Sequence, residues 1–272
     1  MQSKTVGNEI AAALSRSVLY DALALGLQTP SREGVEQLAA RRMRQACVEA
    51  ARCLEREMEV ESAGKADAVA PITASAGIWA RELARLDTQQ LLLEHARLFG
   101  HTVRGRVCPY ESEYGQNALF QQSHQLADLT GFYAAFGLEL DEAVHERADH
   151  IACELEFMHF LARKEAYALE TRDDAMLEGT RRGARLFLQE HLGKFGRAVA
   201  LSLQETGEKG FYAGLGRVLH ECLLLDSRRQ GIETGPPGLQ LRPESESDVP
   251  MQCGGACDPA ACASGPPLPR DA

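Results

Sequence analysis

The chain has 272 residues, 44% of them apolar, enough for one substantial core, and its formal net charge is −10. An acidic balance with no basic block argues against a nucleic-acid partner and is compatible with basic peptides. No run of about 18 uninterrupted apolar residues is present, and Asn8, Glu9, Arg16 and Asp21 interrupt any export-signal core, so the reading is cytoplasmic with no integral membrane segment.

In chain order, helical periodicity predicts a first helix over about residues 8–25, with Ile10, Leu14 and Val18 in register, and a turn at Pro30. A second, long helix is predicted over 33–61, where Val35, Leu38, Met43, Ala46, Ala50, Leu54 and Met58 can face neighbours. Gly64 and Pro71 then mark a linker. Helices follow over 76–86 and 88–99, the latter carrying Leu91, Leu92, Leu93, Leu98 and Phe99. Residues 100–116 break the pattern through Gly105, Pro109 and Gly115, and helix resumes near Asn117. The strongest helix is predicted over 142–170, with Val144, Ala148, Ile151, Leu155, Met158, Ala162, Ala166 and Leu169 on one stripe. Further helices are predicted over 174–192, 194–205 and 210–226. Strand alternation is scarce, which predicts an all-α, irregular single-domain helical bundle over residues 1–230. Residues 231–272 hold eight of the 11 prolines and six glycines, and read as a flexible, cysteine-containing C-terminal tail.

Two segments concentrate polar chemistry. In Cys108-Pro-Tyr-Glu-Ser-Glu-Tyr-Gly115, Tyr110 and Tyr114 offer broad contact surfaces, Glu111 and Glu113 negative charge, and Ser112 a small hydrogen-bonding group. A loop merely anchored by its tyrosines is the plainer alternative. On a helix, Glu146, Asp149 and His150 fall three and four residues apart and form one polar group, read either as a ligand-facing cluster or as a solvated helix face. Residues 141–178 carry 11 acidic and four basic side chains, a net −7 that favours an arginine-bearing peptide, although solubility also explains such charges.

These two segments resemble the TorD/DmsD-type redox-enzyme maturation chaperones, more distantly the NarJ-type assembly proteins. The resemblance rests on the Pro-Tyr-Glu-Ser loop and the Glu146-Arg-Ala-Asp149-His150 element, with supporting likeness in Ile151–Leu161 and Ala184–Phe195, and it spans about residues 11–229. Cys108 stands where the family commonly has a proline before its Pro-Tyr pair. The resemblance implies a cytoplasmic, non-catalytic chaperone. Its client would be the catalytic subunit of a molybdenum-cofactor-containing oxidoreductase, bound through a twin-arginine signal peptide. It would assist cofactor insertion, with cofactor-insertion machinery as a further partner, and delay premature export. Tyr110, Glu111, Ser112, Glu113, Tyr114, Glu146, Asp149 and His150 would bind the peptide, whose arginines would meet Glu111, Glu113, Glu146 and Asp149.

No cofactor is required on this reading. The tail triplet Cys253, Cys257 and Cys262 is nevertheless a candidate zinc or iron–sulfur ligand set, and makes a metal-binding assembly factor or a helical scaffold the alternative. Its C-x3-C-x4-C spacing lacks a local fourth thiol, with His220 or Cys222 available only if the tail folds back, and an unliganded tail explains it equally. Hydrolase chemistry is disfavoured because Asp149-His150 lacks the distributed histidines it needs, and no phosphate cradle is present in the glycine-rich stretch after Gly207.

Overall fold

The computed structural model describes residues 2–61, 72–100, 104–115, 121–141, 146–206 and 210–243. Ten α-helices occur among them, joined by turns and by two isolated β-bridges, with no strand among the described residues. The bundle is built around α1 (Gln2–Leu27), whose Leu19, Tyr20, Leu23 and Leu27 are fully buried. By length and composition its Val6–Leu27 stretch also suffices to cross a membrane, but here it is the central helix of the bundle. It runs antiparallel to α7 (Ile151–Thr171), since its partners descend along α7 as α1 ascends: Arg16 meets Glu165, Ser17 meets His159, and Gln28 meets Glu156.

Local chemistry sets the boundaries. The helix expected over 33–61 divides into α2 (Arg32–Ala39) and α3 (Arg41–Glu61), because Ala40 leaves the helical region at ψ 133°. Ser31 caps α2 by accepting from Gly34 N at 3.0 Å, and Asp87 caps α5 (Thr88–Phe99) by accepting from Gln90 N at 2.9 Å. Between them lies α4 (Ile72–Leu83), whose buried Trp79 stacks on Phe211 at the start of α10 (Phe211–Gln230). After α6 (Gln121–Ala135) and α7, Arg172 takes the left-handed conformation at φ 57°, ending α7 before Asp173 caps α8 (Asp174–Glu190). α9 (Leu192–Thr206) then packs along α10 closely enough that a Cβ on Gly216 would lie 2.6 Å from the Ala200 carbonyl oxygen.

The expected change of character at Gly231 matches the end of α10, where Gly231 has φ 62°. Residues 232–243 nevertheless return to the bundle: Gly235 N donates to Gly193 O at 2.8 Å, and Ile232 and Leu239 pack against the core. The remaining tail, 244–272, lies outside the described residues.

One buried network crosses the bundle. The Glu165 carboxylate of α7 accepts from Arg16 of α1, from Arg181 of α8 at 2.8 Å and from Arg229 of α10 at 3.0 Å. Asp226 joins it by accepting from Tyr20 Oη at 2.5 Å. Burial alone would raise the Glu165 pKa, but the three guanidiniums hold it below the ordinary value of 4.5. Replacing it leaves buried arginines uncompensated, so Glu165→Gln is expected to lower the unfolding free energy by about 3–5 kcal/mol in denaturant titration. In the wild type this contribution is complete above the ordinary glutamate value and is lost as pH falls through the depressed one. The difference between wild type and Glu165→Gln is therefore expected to shrink on acidification below 4.5.

Candidate functional site

The two polar segments meet at the N-terminus of α7. Pro109 O accepts from Ile151 N at 2.8 Å, and Glu111 N donates to Asp149 O at 2.9 Å, so Tyr110 and His150 form an antiparallel bridge. Pro109 has no N–H to offer and presents only its carbonyl, as this pairing requires. The loop then tightens into a 3-10 turn over Glu111–Glu113, whose second N–H, that of Ser112, donates to Asp149 Oδ2 at 3.2 Å. Tyr114 Oη closes the loop by donating to Cys108 O at 2.8 Å. Cys108 is buried, and burial pushes its thiol pKa up to about 11.

The helix expected from 142 begins only at Ile151. Residues 142–145 lie outside the described residues, and Glu146–Asp149 form an irregular approach and turn. Glu146, Asp149 and His150 are therefore not one helical face. His150 is the N-cap of α7: its Nδ1 accepts from Ala152 N at 3.1 Å, which requires that nitrogen to be unprotonated. Burial lowers its pKa, more than Glu146 and Asp149 raise it, and Arg147 lowers it further.

The structure thus gathers all eight expected residues into one junction, but it engages their charges from within. Glu111, Glu113 and Asp149 are 3%, 2% and 0% exposed. Asp149 forms a two-pronged pair with Arg147, Nε to Oδ1 at 2.9 Å and Nη2 to Oδ2 at 2.8 Å, and the same Nη2 lies 2.8 Å from Ser112 Oγ. Glu113 meets Arg104 at 3.0 Å, Arg242 at 3.2 Å and Arg147 at 3.8 Å, with Gln122 Nε2 3.3 Å from its Oε1. Glu111 Oε2 lies 3.0 Å from Nδ1 of buried His191, at the start of α9.

Glu146 differs. Among the described residues it has no cationic side-chain partner; it accepts from Tyr110 Oη at 3.2 Å and from Arg147 N at 3.2 Å. Burial and then Glu146 push the Tyr110 pKa up to about 12, keeping the hydroxyl protonated as that donor. The Arg147 guanidinium sits 4.5 Å from the Tyr110 ring centroid, and His150 packs edge-on against the same ring at 5.2 Å. Tyr110, Glu146 and Arg147 form the partly exposed rim, while the other residues hold it in place.

Sequence reasoning missed Arg147, Arg104, Arg242, His191 and Glu154. Arg147 was legible in principle, since it stands inside the same five-residue element as the acids it pairs with. His191 and Arg242 come from distant positions that carry no local pattern, while Arg104 and Glu154 stand just outside the two motifs. Glu154 is fully buried on the first turn of α7, and neither oxygen has a hydrogen-bond partner among the described residues. Burial first, then neighbouring Glu111 and Asp149, raise its pKa well above 4.5.

Among the described residues no group of three or more histidines, cysteines or acids is arranged to hold a metal ion. The candidate ligands Cys253, Cys257 and Cys262 lie outside the described residues, and Cys222 is buried inside α10.

Replacing the capping imidazole separates its two contributions. His150→Ala is expected to cost about 0.5–2 kcal/mol through loss of the acceptor, while His150→Asn restores an acceptor that does not titrate. Because the folded histidine value is depressed, the unfolded state binds more protons once pH drops below about 6.5. Wild-type stability relative to His150→Asn is therefore expected to fall from pH 7 to pH 5 in parallel denaturant titrations.

A family model described as nitrate reductase delta subunit matches residues 61–200, half of the chain and both segments of the junction. The chain is 40% identical over 75 residues to a perchlorate reductase assembly chaperone protein of Dechloromonas aromatica, covering 26% of this chain and 33% of that protein. It is 34% identical over 114 residues to a selenate reductase assembly chaperone protein of Thauera selenatis, covering 42% and 56%. With the chaperone protein TorD of Vibrio parahaemolyticus it shares 28% identity over 146 residues, covering 53% and 66%. These matches span from a third to just under two thirds of the relatives' own lengths. The protein belongs to the nitrate reductase delta subunit family, the family of the TorD- and NarJ-type chaperones.

Proposed function

We propose that this protein is a non-catalytic assembly chaperone for an oxidoreductase. It binds the catalytic subunit before that subunit is complete and requires no cofactor of its own. Family membership supports the class of function, and the relatives' names point to reductases as clients. The observation that carries the reading is the junction itself. Two segments some 35 residues apart in the chain are locked by backbone pairing and by the contacts of Asp149 and Arg147 with Ser112, which present Tyr110, Glu146 and Arg147 as a preformed rim. A preformed surface loses little conformational freedom on binding.

The finer reading is that the client contains a molybdenum cofactor and carries an arginine-bearing signal peptide, and that binding precedes cofactor insertion and delays export. On this reading Glu146 receives a peptide arginine and Tyr110 covers its apolar stem. Glu111, Ser112, Glu113, Tyr114, Asp149 and His150 act by holding the rim in position. At the rim this narrows the direct charge contact from four acids to one.

Affinity capture with the tagged full-length chain in its own organism is expected to recover an oxidoreductase catalytic subunit lacking its cofactor. Tyr110→Ala is expected to reduce that recovery about tenfold, equivalent to ~1.4 kcal/mol, with a thermal midpoint close to wild type. Reproducible capture of unrelated proteins alone would sink the reading.

A further inference from the structure

Past α10 the described residues, 231–243, form no helix, yet they dock with a definite register. Gly235 N donates to Gly193 O at 2.8 Å, Leu239 N closes a turn on Pro236 O at 3.2 Å, and residues 240–242 then run extended beside the loop. There Gly115 N donates to Gln240 O at 3.0 Å, Arg242 N donates to Glu113 O at 2.8 Å, and Tyr114 and Leu241 form an antiparallel bridge. The Arg242 guanidinium reaches the Glu113 carboxylate at 3.2 Å. Below this segment, between the loop and α9, remains a cavity of about 440 Å3 lined by Arg106, Cys108, Ser202, Glu205, Gly238 and Leu239 among others.

Two features distinguish this contact from core packing. Apart from Leu239, which packs against the core, residues 240–242 are held through backbone pairing and the Arg242–Glu113 contact, with Leu241 left 38% exposed and a cavity beneath it. The receiving side also does not depend on the segment: Glu113 keeps Arg104 at 3.0 Å and Arg147 at 3.8 Å, and Tyr114 is tied to Cys108. Pairing along an exposed backbone edge, with a guanidinium seated on a carboxylate, is how an extended peptide is recognised. The same bonds are available to any extended segment with an arginine at the position of Arg242.

We propose that the groove between the 106–115 loop and α9 is a docking site for an extended, arginine-bearing segment of the client, and that residues 239–242 occupy it in cis. This rests on the assembly-chaperone reading for the identity of the occupant. The in-cis segment acts as a tethered competitor, whose effective concentration reaches the millimolar range for a short connection. Weakly binding segments are excluded by it. A client segment that also fills the cavity displaces it.

The test uses a fluorescently labelled synthetic peptide with the sequence of residues 236–243, titrated against the full-length chain. Two variants release the segment without altering the groove. Arg242→Glu sets a negative charge against Glu113. Gly235→Val acts sterically, because a Cβ at Gly235 would lie 1.9 Å from the Lys194 carbonyl oxygen. Each variant is expected to bind the peptide at least tenfold more tightly than wild type, and a peptide with its arginine replaced by glutamate is expected to lose that binding. Equal affinity of wild type and whichever variants retain the wild-type circular dichroism spectrum would overturn the proposal, as would binding indifferent to the arginine. Oxidoreductase capture without any peptide response overturns the groove alone. A peptide response without oxidoreductase capture overturns the chaperone reading instead.

Discussion

A carboxylate withdrawn from water has to be matched by donors, and this bundle meets the demand with arginines drawn from far apart in the chain. Glu165 on α7 collects Arg16, Arg181 and Arg229 from three other helices. Glu113 in the loop collects Arg104, Arg147 and Arg242 from positions spread over 139 residues. The Glu165 hub is satisfied only when its contributing helices are in place, while Glu113 keeps Arg104 and Arg147 whether or not Arg242 is seated, so the hubs act as checks on register as well as contacts. The rim of Tyr110, Glu146 and Arg147 inherits its geometry from the second hub, because Arg147 cannot pair with Asp149 and approach Glu113 unless the loop lies against the start of α7.

Much of the bundle was legible because one-sided apolar periodicity survives whatever a helix packs against. The stripe from Ile151 to Leu169 and the buried Leu and Phe of α5 and α9 follow it directly. Boundaries were harder to read where backbone geometry decides. Ala40 has high helix propensity and still breaks the predicted 33–61 helix. His150 is a weaker N-cap signal by composition than Ser or Asp, so the turn before α7 was taken as helix although the imidazole caps it.

The pairing of the loop with the Glu146–His150 element was legible through family likeness, but the state of its acids was not. Counting charge along the sequence treats every carboxylate as available, whereas burial has removed Glu111, Glu113 and Asp149 from the surface and given each an internal partner. Arg147 sits in the middle of the element and reverses its electrostatic meaning. The segment after Gly231 shows the converse error. A run rich in proline and glycine lacks periodicity, yet it can still dock through its backbone, as residues 232–243 do.

Glu154 adds a chemical consequence. It is wholly buried beside Glu111 and Asp149, and burial together with those two carboxylates raises its pKa well above that of a surface glutamate. Any rearrangement that admits water to this side chain lowers its affinity for a proton back toward that of an ordinary carboxyl. Hydration of the junction and the proton affinity of this one side chain are thereby joined, so the foot of α7 couples packing to acidity.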